Sequence, residues 1–122
     1  MAKILIIEDD PNIRKLLGVN LRARGYTVIE AEDAQTGLAR LRDSSPNILL
    51  LDIKLPDMPG WEVLRIMTTD PTYRPVPVIV ITASISSAHP DYMLTHSEYL
   101  RKIMKKPISI QELTEEVKEA LN

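Results

Sequence analysis

Residues 48–60 read Ile48-Leu49-Leu50-Leu51-Asp52-Ile53-Lys54-Leu55-Pro56-Asp57-Met58-Pro59-Gly60. Four apolar residues in a row end in an acid, and a turn rich in proline and glycine follows. An uninterrupted apolar run of this length reads as a strand covered on both faces, as in parallel sheets. Toward the N-terminus, Ile4-Leu5-Ile6-Ile7 repeats the pattern and ends in Glu8-Asp9-Asp10. Toward the C-terminus, Val76-Pro77-Val78-Ile79-Val80-Ile81 repeats it again and ends in Thr82. Tyr26-Thr27-Val28-Ile29 makes a shorter strand, and a weak fifth lies at Leu100 to Lys105, before Lys106-Pro107.

Helical patterns fill the intervals. Ile13, Leu16, Leu17, Asn20 and Leu21 follow helical spacing, with Pro11 at the start and Gly25 at the end. Ala34, Gly37, Leu38 and Leu41 form a second stripe, and Trp61, Leu64 and Met67 a short third. The last helix opens on Ser109 and Glu112, a capping-box pattern, with Leu113, Val117 and Leu121 as its face. A fourth helix is expected across 85–98, where Ser86, Ser87, His89, Pro90 and Asp91 make the pattern poor. Strands and helices alternating at these lengths predict an α/β fold, a doubly wound open parallel sheet with helices on both faces.

The 122 residues suit one domain. A net charge of −2 supplies no basic field for nucleic acid. There is no cysteine, which excludes disulfides, thiolate chemistry and Cys-based zinc sites. No apolar run approaches a membrane span, and no signal-peptide pattern opens the chain, so a cytoplasmic protein is expected.

In such sheets ligands sit at the carboxyl ends of the strands. Those ends carry Glu8-Asp9-Asp10, Asp52, Thr82 and, after the fifth strand, Lys105-Lys106. If the first and third strands are neighbours at the centre, Asp9 and Asp52 converge on one pocket. Two carboxylates about 4 Å apart repel by roughly 4 kcal/mol at an effective dielectric near 20. A hard divalent cation resolves this repulsion, and Mg2+ favours one or two carboxylates together with waters and phosphate oxygens. An aspartate nucleophile, a metal, a lysine and a hydroxyl are together a set for phosphoryl chemistry. Each residue also has a plainer reading: Asp10 as helix N-cap, Asp52 as a strand end, Thr82 as β propensity, Lys106 as a solvated loop lysine. Their joint placement at four strand ends is what carries the functional reading.

These blocks, namely residues 4–10, residues 50–60, Val80-Ile81-Thr82-Ala83 and Lys106-Pro107, resemble the receiver domain of two-component response regulators over essentially the whole chain. The resemblance implies a flavodoxin-like (βα)5 fold with strand order 2-1-3-4-5. It implies Asp52 as phosphoacceptor and Mg2+ as cofactor. Asp9 and Asp52 would be metal ligands, Glu8 would act commonly through a water, and the Lys54 carbonyl would complete the shell. It implies Thr82 and Ala83 as phosphoryl-binding and switch positions, Lys106 as the paired lysine, and a cis bond to Pro107. Lys54 and Ser84 fall where similar proteins set the rate of dephosphorylation. The implied partners are a sensor histidine kinase or phosphotransfer protein and a downstream protein or an output domain, with a homodimer compatible; neither nucleic acid nor membrane is expected. The chain would not be an enzyme in the turnover sense.

Receivers commonly carry Tyr or Phe three residues before the lysine; here that residue is Ile103. The Gly-Ala usual before the fifth strand is replaced by His96-Ser97-Glu98-Tyr99-Leu100-Arg101-Lys102. An altered output surface is therefore expected, with the fourth helix short, displaced or mobile. The competing readings are a receiver-like scaffold that works without phosphorylation, a flavin binder and an aspartate phosphohydrolase. The acids after the first strand would repel a flavin phosphate, and no second acid stands two residues after Asp52. His89 and His96 lie in a polar stretch that makes no metal motif, and neither phosphate-cradling glycine motif is present.

Overall fold

The computed structural model describes residues 2–83 and 98–122. The fourth helix expected across 85–98, Ser84, His89 and His96 fall on residues 84–97 and so lie, apart from residue 98, outside the described residues. The described elements are β1 (Lys3–Ile7), α1 (Pro11–Ala23), β2 (Thr27–Ala31), α2 (Ala34–Ser44), β3 (Ile48–Asp52), α3 (Gly60–Thr69), β4 (Val78–Thr82), β5 (Leu100–Lys105) and a C-terminal helix (Ile110–Ala120). All five strands are parallel, in the order β2-β1-β3-β4-β5.

The apolar runs work on both faces of the sheet, as strand alternation dictates. Leu5, Ile7, Leu49, Leu51, Val78 and Val80 pack with Leu38 and Leu41 of α2 and Val63, Leu64 and Met67 of α3. Ile4, Ile6, Ile48, Leu50, Ile79 and Ile81 pack with Leu17 and Leu21 of α1 and Leu113 and Val117 of the C-terminal helix. Burying one such Leu or Ile contributes about 1.5–3 kcal/mol against leaving it in water. Glycine lets α2 approach β1 closely, since a Cβ at Gly37 would run into the Ile7 side chain.

Three sequence expectations shift. Leu16 is 49 % exposed, as is Val19 at 55 %, while Leu17 and Leu21 are buried. At 3.6 residues per turn, Leu16 lies about 100° round the helix from Leu17, outside the stripe that Ile13, Leu17 and Leu21 share. Strand β4 begins at Val78 rather than Val76. Pro77 has no N–H for the ladder, although its carbonyl still accepts from Leu49 N–H at 2.9 Å. Strand β2 runs on from Ile29 through Glu30 to Ala31. Glu30 ends the apolar run without ending the strand, because β2 is an edge strand and two arginines meet the Glu30 carboxylate.

Candidate metal and phosphoryl site

Sheet register brings the acids together. Ile7 pairs with Leu51, so Glu8 and Asp52 both leave the sheet at its carboxyl edge. Carboxylate oxygens of Glu8, Asp9 and Asp52 lie within 4.8 Å of one another. Glu8 and Asp52 are buried and Asp9 is exposed. Lys106 Nζ lies 2.7 Å from Glu8 Oε1 and 3.3 Å from Asp52 Oδ2. The Glu8 contact is an ion pair rather than a well-aligned hydrogen bond. Lys106 is delivered there by its own N–H, which donates to the Thr82 carbonyl at 2.8 Å and so carries the chain from β5 past the end of β4. Its peptide bond to Pro107 is cis.

The electrostatics follow from burial. Desolvation pushes the Glu8 carboxyl up to about 7, and the adjacent Asp52 adds to the shift against the pull of Lys106. Burial opposes the Lys106 charge, but Glu8 and Asp52 outweigh it and hold that ammonium above the ordinary lysine value. Three carboxylates face one ammonium, so the cluster carries excess negative charge in little space. That is the chemistry of a hard-cation site, and a Mg2+ ion fits the donor set, which is all oxygen.

The loops are built to hold these groups. Asp10 caps α1, its Oδ1 accepting from Asn12 N–H at 2.8 Å and Ile13 N–H at 3.3 Å. Its own N–H donates to Glu8 Oε2 at 3.2 Å. Beyond Asp52, Lys54 N–H donates to Asp52 Oδ1 at 3.3 Å. Lys54 then bridges Pro59, and Gly60 N–H returns to the Ile53 carbonyl at 2.7 Å. Gly60 is obligatory in that turn: a Cβ there would collide with the Asp52 carbonyl oxygen and sit 2.9 Å from the Ile53 Cα.

Of the residues singled out in the sequence, Glu8, Asp9, Asp52 and Lys106 converge. Thr82 is buried at the end of β4, next to Ile81, which pairs with Asp52, and Ala83 follows it exposed. The Lys54 side chain is exposed, and its backbone is what meets Asp52. Two residues escaped the sequence reading. Arg14 reaches back from α1 to the Glu8 carbonyl at 2.8 Å. Asp57 accepts from Ala34 N–H at 2.9 Å and Gln35 N–H at 2.8 Å, tying the loop after β3 to the start of α2. Desolvation works against the Asp57 charge, but those two N–H groups, with the N–H groups of Asp57 and Met58, hold its carboxyl below the usual value.

The family model described as the response regulator receiver domain matches residues 4–118. "Response regulator PleD" of Caulobacter vibrioides is 43 % identical over 83 residues, which are 67 % of this chain and 18 % of that protein. "Protein PilH" of Pseudomonas aeruginosa is 29 % identical over 121 residues, 99 % of this chain and 98 % of that one. The crystal structure of a CheY-like response regulator receiver domain protein from Methanospirillum hungatei superposes with a TM-score of 0.87 at 32 % identity, covering 99 % of this chain and 94 % of that one. The chain thus spans under a fifth of PleD and nearly all of PilH.

Proposed function

The chain belongs to the response regulator receiver domain family of two-component systems, and from that membership we propose that Asp52 accepts a phosphoryl group in a Mg2+-dependent step. The observation that carries this reading is the meeting of three carboxylates and one lysine at the carboxyl edge of the sheet. Asp9, Asp52 and the Lys54 carbonyl would hold the ion, with Glu8 acting through a water. A bound Mg2+ supplies charge neutralisation for the incoming phosphoryl oxygens.

The chain's own groups do the rest. The Asp52 carboxylate attacks phosphorus in line; an O–P bond forms as the N–P bond of a donor phosphohistidine breaks, and the imidazole leaves. Lys106 leaves its ground-state partner Asp52 Oδ2 to pair with a phosphoryl oxygen. The Thr82 hydroxyl and the Ala83 N–H take up further oxygens, which couples the acyl phosphate to the end of β4. Water later attacks the acyl phosphate and restores the carboxylate. The protein is consumed and regenerated in this cycle rather than turning over a separate substrate.

The phosphodonor is a sensor histidine kinase or a phosphotransfer protein. The output runs through a downstream protein or through a further domain. The setting is cytoplasmic; among the described residues no helix is long and apolar enough to cross a membrane.

The test is mass spectrometry after incubation with acetyl phosphate and Mg2+. One added phosphoryl group is expected, dependent on Mg2+ and abolished in Asp52→Ala. An adduct that survives Asp52→Ala, or none in the unaltered chain, would overturn the proposal.

A further inference from the structure

We infer that Arg14 is a positioning residue for the cation site, acting through the backbone of Glu8 and held in place by Glu30; this rests on the Mg2+ reading above. Glu8 is fixed at four points. Its N–H extends the β1–β2 ladder by donating to the Ala31 carbonyl at 3.0 Å. Its Oε2 accepts from Asp10 N–H at 3.2 Å, and its Oε1 faces Lys106 Nζ at 2.7 Å. The fourth point is its carbonyl, which accepts from Arg14 Nη1 at 2.8 Å. The same nitrogen lies 3.5 Å from the Asp9 carbonyl. Asp9 therefore sits between a residue pinned at both backbone groups and a helix cap.

Placement explains why Arg14 can do this. Its N–H makes the first helical bond, to the Asp10 carbonyl at 2.9 Å. Helical side chains lean toward the N-terminus, so a long side chain one turn in lies back over the loop. The guanidinium is a planar fork with several donors. One nitrogen takes Glu8, while Nε lies 3.4 Å from Glu30 Oε1. Glu30 is in turn met by Arg22 Nη2 at 2.9 Å. The end of β2 thus braces the loop that carries two of the three acids.

The sign of the effect separates positioning from simple charge. Arg14 is a cation beside an acidic cluster, so by Coulomb's law alone its removal would tighten Mg2+ binding. As a positioning residue its removal loosens binding instead, since partners one shell out from a metal commonly govern affinity by 10–100-fold.

The experiment is calorimetric Mg2+ titration of the full chain. Arg14→Ala is expected to raise the dissociation constant by about tenfold or more, and to do so equally in about 1 M KCl, where the Debye length is near 3 Å. Arg14→Lys keeps the charge but not the fork, and falls between Arg14→Ala and the unaltered chain. Glu30→Gln weakens binding in the same direction. Arg40→Ala, an exposed arginine that lines a cleft with Arg14 and Glu30, leaves the affinity unchanged or slightly tighter. Unchanged or tighter binding in a folded Arg14→Ala overturns the inference; should that variant not fold, Arg14→Lys and Glu30→Gln with unaltered affinity overturn it equally. Amide exchange at Asp9 and Asp10 in the metal-free protein gives a second reading, faster in Arg14→Ala. If the unaltered chain binds no Mg2+, the functional reading fails, and the amide exchange still decides whether Arg14 holds the loop.

Discussion

The loop after β1 reaches the pocket in residues 8–10, whereas the loop after β3 takes residues 53–59. The short loop runs straight into a helix and borrows its rigidity: Asp10 is both cap and loop end, and Arg14 and Lys106 grip Glu8 from either side. The long loop closes on itself through backbone bonds, with Gly60 tucked under the Asp52 carbonyl, and reaches α2 through hydrogen bonds to Asp57. The difference teaches that acids can be held by charge at one point and by steric fit at another, with unlike vulnerabilities. The short loop should respond to pH and charge, the long loop to side-chain bulk.

The largest effect should fall on the long loop. Gly60→Ala is expected to cost about 3 kcal/mol or more, because the clash is with backbone that cannot turn aside. Urea denaturation measures it, and a loss under about 1 kcal/mol would remove steric closure from the comparison. Next comes the pH response of the short loop. The folded Glu8 carboxyl titrates near 7 against an ordinary 4.5. Between those values the folded state binds the extra proton, so the metal-free protein loses stability as pH rises through that window, by as much as about 3 kcal/mol. Thermal melts against pH should show that slope, and Glu8→Gln or saturating Mg2+ should flatten it; an equal slope in Glu8→Gln would assign the titration elsewhere.

A smaller effect sits at Asp57. Asp57→Ala leaves two helix N–H groups without their carboxylate and should cost about 1 kcal/mol, with faster exchange at Ala34 and Gln35. The Asp57 carboxyl is held below its ordinary value of 3.8, so its stabilisation is present above about pH 4 and fades as pH falls through the lowered value. The stability gap between Asp57→Ala and the unaltered chain should therefore close in acid, and a gap independent of pH would show that the carboxylate charge is not what holds α2. The smallest is Asp10→Asn, which keeps a capping oxygen and should change stability by only a few tenths of a kcal/mol. A large loss there would mean that the short loop depends on the Asp10 charge itself.

These features divide by how far each can be read from nearby residues. The runs at 4–7, 48–51 and 78–81 announce buried parallel strands because burial on both faces leaves no alternation to interpret. The acids and Lys106 were legible as strand-end residues, and the register of β1 with β3 brings Asp52 beside Glu8. Glu30 hid the end of β2, since a charged residue in a strand makes sense only once Arg14 and Arg22 are seen beside it. Asp57 stood in plain sight within a turn motif, but its partners are 22 and 23 residues away and depend on how α2 meets the loop. Leu16 misled because spacing alone does not say which of two adjacent leucines faces the sheet.

The outer strand β5 carries a further consequence. Among the described residues its ladder groups pair with β4 on one side only, and Arg101, Lys102 and Lys105 stand exposed along its length. A second molecule lining up against that flank would meet a cation at three of the strand's six positions. Charged flanks of this kind discourage the strand-to-strand stacking that ends in insoluble fibres, so this boundary should keep crowded copies apart.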